Sequence, residues 1–226
     1  MEYAVLDQIG FRPRLETLAK KLRLKPESRY LPELEKLAAQ ARTLARPKAA
    51  FRVGYIECKD RDSVQVNGIT FNSRVLRVNL EQAHRVFFYL ATCGEELEQW
   101  SKTVPDLLQQ FWADAIKEQA LYAARRALDS YLKEQFQLGK TSAMAPGSLE
   151  DWPITEQRKL FDLMDGLDRE IGVQLTESYL MLPVKSISGV RFPTENRFES
   201  CQLCPRENCP GRRAPYDQAL YEDRFA

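Results

Sequence analysis

Along the first fifty residues apolar positions recur every three or four places. "RLETLAKKL" sets Leu15, Leu18 and Leu22 on one face, and "YLPELEKLAAQARTLA" repeats the spacing with Leu34, Leu37, Ala41 and Leu44. Two amphipathic helices are predicted there, with Pro32 in the first turn of the second and Pro47 closing it. The period then falls to two. "FRVGYIE" alternates, and "SVQVNGITF" carries Asn67-Gly68 at its centre, the pair a tight hairpin turn favours. "VLRVN" and the wholly apolar "VFFYLAT" predict further strands, the second of them buried. A helix through Leu80–Leu90 competes with that reading.

From Val104 to Phe136 the helical period is sustained longest, through Leu108, Phe111, Trp112, Ala115, Ala120, Ala124, Leu128 and Leu132. Pro105 opens the run and Gly139 follows it, as helix ends prefer. Spanning about residues 104–137, such a helix reaches roughly 45–50 Å. Its alanines are read as close packing against a sheet. "TSAMAPGSLEDWP" is a loop, "TEQRKLFDLMDGL" a shorter helix, and "VQLTESYLMLPVKSISGVRF" two strands joined near Pro183–Lys185. From Pro193 onward aliphatic residues are scarce, so the tail builds no core of its own. The fold class is α+β: one domain over residues 1–192, helical in its first fifty, and a small cysteine-rich appendage over 193–226.

Charge changes this picture little. The 226 residues hold 33 Lys and Arg against 32 Asp and Glu, a balance that steers the chain to neither nucleic acid nor anionic lipid. No apolar run approaches the ~20 residues of a membrane span, and the N-terminus lacks the pattern of a signal peptide. A cytoplasmic protein is expected, with no nucleic-acid or membrane partner. In that compartment structural disulfides are rare, and clustered cysteines point to metal or redox chemistry.

Three of the five cysteines form such a cluster, Cys201-x2-Cys204-x4-Cys209. Two residues between Cys201 and Cys204 let both sulfurs face one ion across a turn, as in zinc and iron–sulfur sites. Either metal is open, and so is a pair of free thiols or a transient disulfide. The fourth ligand is missing locally; Cys58, Cys93, His84 or an exogenous molecule are the candidates, although Cys93 reads better as a small buried side chain. Nothing supports a nucleophile–base arrangement: there is one histidine, no Gly-x-Ser-x-Gly elbow and no phosphate-binding glycine loop. The acid pairs Glu95/Glu96 and Glu150/Asp151 read as solvated surface.

The segment holding Leu175, Thr176, Glu177, Ser178, Met181, Pro183, Ser186, Ser188 and Gly189 resembles the reactivation (activation) domain of cobalamin-dependent methionine synthase, and more closely the stand-alone proteins sharing that domain. "APGSLEDWPITEQRKLFDLM" is similar to the family's Pro-Gly loop and following helix, and "ATCGEELEQW" to a Thr-x-Gly-x-x-Leu-Glu stretch. The likeness runs over roughly Phe51 to Phe192. It implies a C-shaped α+β domain with a twisted antiparallel sheet. It also implies docking on a cobalamin-carrying module whose cobalt has been oxidised to Co(II), and presentation of S-adenosylmethionine while an outside donor supplies an electron.

The resemblance makes Ala145, Pro146, Gly147, Glu177, Ser186, Ser188 and Gly189 the candidate ligand contacts. The family's ligand loop has Arg four residues before its Gly and Tyr just after it; Ala143 and Ser148 stand there. An Arg offers a carboxylate two charge-assisted hydrogen bonds that Ala cannot. Alternation puts Ser186 and Ser188 on one side of a strand, a ligand-facing wall or a solvent face. The function expected is an accessory protein for reductive reactivation of a corrinoid methyltransferase system. It docks on a cobalamin-binding protein and presents S-adenosylmethionine or, from an iron–sulfur cluster on Cys201, Cys204 and Cys209, an electron. The alternative is a non-catalytic scaffold or regulatory subunit with a structural zinc tail.

Overall fold

The computed structural model describes residues 2–225. A strand absent from the sequence reading, β1 (Tyr3–Leu6), comes first, followed by the two expected helices, α1 (Leu15–Lys21) and α2 (Leu31–Leu44). Next come β2 (Lys48–Lys59) and the hairpin of β3 (Ser63–Val66) and β4 (Ile69–Asn72). Asn67 and Gly68 form its turn with φ of 47° and 79°, the left-handed pair that matches the twist of the flanking strands.

"VLRVN", expected as a strand, is instead the helix α3 (Arg74–Asn79). Its N-terminus is satisfied twice. Ser73 Oγ accepts the Leu76 N–H at 2.9 Å, and the Asp151 carboxylate accepts the N–H groups of Arg74 and Val75 at 3.1 and 3.0 Å. Asp151 is thus a half-buried cap and not the solvated acid expected. "VFFYLAT" is the strand β5 (Arg85–Thr92), which settles the competing helix against it.

Helix α4 (Glu95–Thr103) precedes the long α5 (Leu107–Phe136), 30 residues. Pro105 lies before the cap of α5, not in its first turn: Asp106 caps it by accepting the Gln109 N–H at 2.9 Å. The loop expected at 141–153 begins with a strand, β6 (Thr141–Met144), and α6 (Gln157–Met164) and α7 (Leu167–Glu170) follow it. The expected pair of strands resolves into a two-residue hairpin, β7 (Gln174–Leu175) with β8 (Met181–Leu182), and a longer β9 (Ser186–Pro193). Helix α8 (Leu220–Phe225) ends the described chain.

Seven strands make one antiparallel sheet in the order β4-β3-β2-β5-β9-β6, with β1 pairing the first half of β2 on the edge opposite β5. β5 is buried on both faces. Phe87, Tyr89 and Ala91 join the layer formed with α1, α2, α4 and α5, while Val86, Phe88 and Leu90 join the layer of α3, α6 and α7. The alanines of α5 pack as expected: Ala113, Ala120 and Ala124 are fully buried in the first layer, and their small side chains let a long helix lie close to β2 and β5. The tail has no separate core. Phe198 and Phe225, ring centroids 5.7 Å apart, are buried in the second layer, and Arg74 Nε donates to Phe225 O at 3.0 Å.

Candidate functional site

The site grows from the pairing of β9 with β6. Val190 and Phe192 of β9 enter the second layer, and alternation continues their row through Ser188 and Ser186. Both serines are buried, 7% and 8% exposed, so the row turns from apolar to polar without reaching a solvent face. Ser186 donates to Pro183 O at 2.7 Å and lies 2.9 Å from the Thr92 hydroxyl. The Ser188 hydroxyl has no hydrogen-bond partner among the described residues.

Gly189 is fixed by proximity. A Cβ there would stand 2.7 Å from Met144 O and 2.8 Å from the Tyr89 phenol oxygen. Burial raises the Tyr89 pKa, with Arg125 and Arg191 opposing it. Because β6 ends with Met144 opposite Val190, Ala145, Pro146 and Gly147 leave the sheet beside Gly189 and Ser188. Gly147 has φ of 79°, and a Cβ on it would meet Ile154 Cδ1 at 2.8 Å; its N–H donates to Trp152 O at 2.7 Å. The positive φ is what calls for glycine here. The structure brings Ala145, Pro146, Gly147, Ser188 and Gly189 to one junction, with Ser186 one step along the strand.

Glu177 is placed otherwise, exposed at the tip of the β7–β8 hairpin. Its neighbours in the motif shape that tip: Thr176 N–H donates to Leu180 O at 2.8 Å, and Thr176 Oγ1 accepts the Leu180 N–H at 3.0 Å. Ala143 pairs with Arg191 across the sheet, but that guanidinium is held by Asp129 and Thr141. Ser148 donates to Ala145 O, closing its own loop.

At the end of β5, Gly94 turns the chain with φ of 93°, where a Cβ would strike Arg46 O at 2.3 Å. Cys93 is buried, and burial pushes its thiol up to about 12. Cys58 and His84 are both exposed. Lys185 is not free for a ligand, since it pairs with Asp114 of α5 at 2.8 Å. That bond sets the hairpin exit beside the N-terminal part of α5, where large apolar side chains face outward: Leu107 and Phe111 on the helix, Leu180 and Val184 on the hairpin side.

The tail turns at Ser200–Gln202, a single 3₁₀ turn held by a reciprocal capping box between Glu199 and Gln202. Partial burial raises the Cys201 thiol, but the N–H groups of Arg213 and Ala214 and the Arg213 side chain outweigh it and the net shift is downward. Among the described residues no three His, Cys, Asp or Glu side chains stand as a metal site, so Cys201, Cys204 and Cys209 do not compose a ligand set here for zinc or a cluster.

Between the tail and the Pro-Gly loop lies a cleft of about 880 Å³. Gly147, Ser148 and Asp151 form one wall, Leu203, Cys204 and Arg206 the other, with Tyr216 and Tyr221 also lining it. Sequence reasoning did not bring Arg206, Tyr216, Tyr221 and Asp151 to the Pro-Gly loop, where they line this cleft. The only signal available was two tyrosines and an arginine in a segment otherwise poor in apolar residues.

A sheet covered on both faces, with a cleft beside the β6–α6 loop, defines the class: an α+β domain. The crystal structure of the MetH reactivation domain bound to AdoHcy superposes with a TM-score of 0.62 at 14% identity, covering 88% of this chain and 81% of that one. Residues 101–206 match the family described as the vitamin B12 dependent methionine synthase, activation domain. The chain thus resembles the activation domain of cobalamin-dependent methionine synthase, over a span that takes in the Pro-Gly loop, the hairpin, β9 and the first two tail cysteines. No curated protein matches it.

Proposed function

We propose that this chain is the reactivation component of a corrinoid methyltransferase system, docking on a cobalamin-binding protein and presenting S-adenosylmethionine to it. The observation that carries the reading is the family match over residues 101–206, which includes the whole junction of the Pro-Gly loop with β9. When bound, S-adenosylmethionine supplies a methyl group. AdoHcy, found on the MetH domain, is what remains once that group has left.

The residues fit such a ligand in a modified way. The position of the family's Arg is Ala143, and Arg191 across the sheet is already paired. Arg206 lines the same cleft as the Gly147 loop and offers a guanidinium for the ligand's carboxylate. Tyr216 and Tyr221, 47% and 43% exposed, offer aromatic faces for a purine. Asp151 is engaged in capping α3, with Oδ2 accepting two hydrogen bonds and Oδ1 one. The methyl-donor version of the function has this cleft to support it; the electron-carrier version has no ligand set among the described residues.

Docking needs a surface as well as a pocket. Phe111 at 61% and Val184 at 59% exposure, joined through the Lys185–Asp114 pair, give an apolar face suited to a partner whose buried macrocycle is itself largely apolar. The test is direct. The protein is mixed with a cobalamin-binding partner in the Co(II) state, a one-electron reductant and S-adenosylmethionine, and recovery of methyltransferase activity is timed. Recovery should be faster than without the protein and should need S-adenosylmethionine. An unchanged rate removes the proposal.

A further inference from the structure

The tail cysteines are chemistry that the reactivation reading leaves over. Cys204 stands just past Leu203, the C-cap of the 3₁₀ turn, and its N–H points back to Cys201 O at 3.4 Å. That contact closes a four-residue turn from Cys201 to Cys204, whose end Cα atoms stay within about 7 Å, near the reach of about 4.4–6.8 Å that a disulfide uses.

The turn is braced by its own sequence. Arg212 donates to the carbonyls of Cys201 at 3.0 Å, Cys204 at 3.1 Å and Ala214 at 3.3 Å, and to that of Arg206. Cys201 Sγ accepts the Arg213 N–H at 3.4 Å, a contact that favours negative charge on sulfur. Cys201 and Cys204 are both partly exposed, and Cys204 opens on the cleft. The exposed Cys58 has no comparable N–H donor on its sulfur among the described residues.

We infer that Cys201 and Cys204 form a thiol–disulfide exchange site whose substrate is a low-molecular-weight disulfide. Cys201, as thiolate, attacks one sulfur of the disulfide; the S–S bond breaks, and the departing thiolate takes up the proton Cys201 released. The Cys204 thiolate then attacks Cys201 sulfur in the mixed disulfide and expels the second thiolate, which takes the Cys204 proton. Two electrons and two protons pass from the protein dithiol to the small disulfide, leaving two small thiols and one internal bridge. The site adjoins the ligand loop: the Ser200 hydroxyl lies 3.5 Å from that of Ser148, so the covalent state of the turn is felt at the cleft. The inference goes beyond the reactivation reading and does not depend on it.

The test uses the full chain equilibrated in mixtures of reduced and oxidised glutathione, quenched in acid, alkylated and mapped by peptide mass. A reversible Cys201–Cys204 bridge is expected, with Cys93 unmodified throughout. In reduced protein, Cys201 should alkylate about ten-fold faster than Cys58. Cys204→Ser should accumulate a glutathione adduct on Cys201, because the resolving thiol is gone. Three results overturn the inference: both thiols stay free in every mixture, the bridge takes Cys209 in preference to Cys201 or Cys204, or the purified protein carries stoichiometric zinc or iron that shields the thiols until chelated. None of these readouts involves cobalt chemistry, so this site and the reactivation role fail separately.

Discussion

Lys117 Nζ of α5 lies 3.0 Å from Glu98 Oε2 of α4, with side chains only 8% and 13% exposed. The pair ties the helix that follows the Thr92–Cys93–Gly94 turn to the long helix behind the sheet. It also gives a structural reason for the Glu in the Thr-x-Gly-x-x-Leu-Glu stretch: that residue neutralises a lysine the packing has withdrawn from water.

Removing one partner should therefore cost more than removing both. Glu98→Leu strands the lysine charge with only Asp114, 3.8 Å away, and is expected to lower unfolding free energy by about 3 kcal/mol. The double variant Glu98→Leu/Lys117→Met should recover most of that loss. Urea denaturation of the three proteins measures it; equal losses would show the pair to be immaterial.

Gly189→Ala should destabilise by about 1–3 kcal/mol, since the nearest obstacle, Met144 O at 2.7 Å, is backbone. Adding Tyr89→Phe removes only the phenol oxygen and should restore a part of the loss. Thermal melting of both proteins separates the two contacts, and a neutral Gly189→Ala would mean that β6 does not close on β9 as described.

Cys93 gives a pH dependence of definite sign. Its thiol is pushed by burial up to about 12, against 9.0 for an ordinary thiol, so the folded state keeps the proton that the unfolded state releases. The stability this represents is complete below pH 9 and is lost as pH rises from there towards 12, by about 1.4 kcal/mol per pH unit. Cys93→Ala should flatten that alkaline slope in denaturation curves taken at stepped pH.

Asp151→Ala removes the acceptor for Ser73 Oγ, Arg74 N–H and Val75 N–H at once. A loss of about 1–2 kcal/mol is expected from uncapping α3. Hydrogen exchange should show it locally, as faster exchange of the Arg74 and Val75 amides.

Phe111→Ser tests the docking face. The side chain is 61% exposed, so the fold should be unchanged while affinity for a cobalamin-binding partner falls about ten-fold or more. Calorimetric titration against that partner reads it, with circular dichroism as the control on folding.

What could be read from the chain depended on how local its determinants were. Asn67-Gly68 and the apolar stripe of α5 carry their own instructions, and both elements formed as expected. α3 did not, because Val75 and Leu76 are adjacent buried residues without a clear period, and the cap that makes them helical comes from Asp151, in a distant loop. β6 was hidden in the same way: four residues of mixed character become a strand only when β9 offers an edge. Gly147 and Gly189 were legible through their motif as positions that call for glycine, the first by its positive φ and the second by the approach of Met144 O. The Arg206–Tyr216–Tyr221 wall was not, since its members are brought together only by the path of a tail with no periodicity to read.

The seating of Phe198 and Phe225 in the second layer carries a further consequence. A cut near residue 193 would strip two buried aromatic side chains from that layer, together with the Phe225 carbonyl that Arg74 engages. The cysteine turn strung between those two anchors is thus inherited with the scaffold. Selection acting on its thiols acts on the stability of the whole molecule as well.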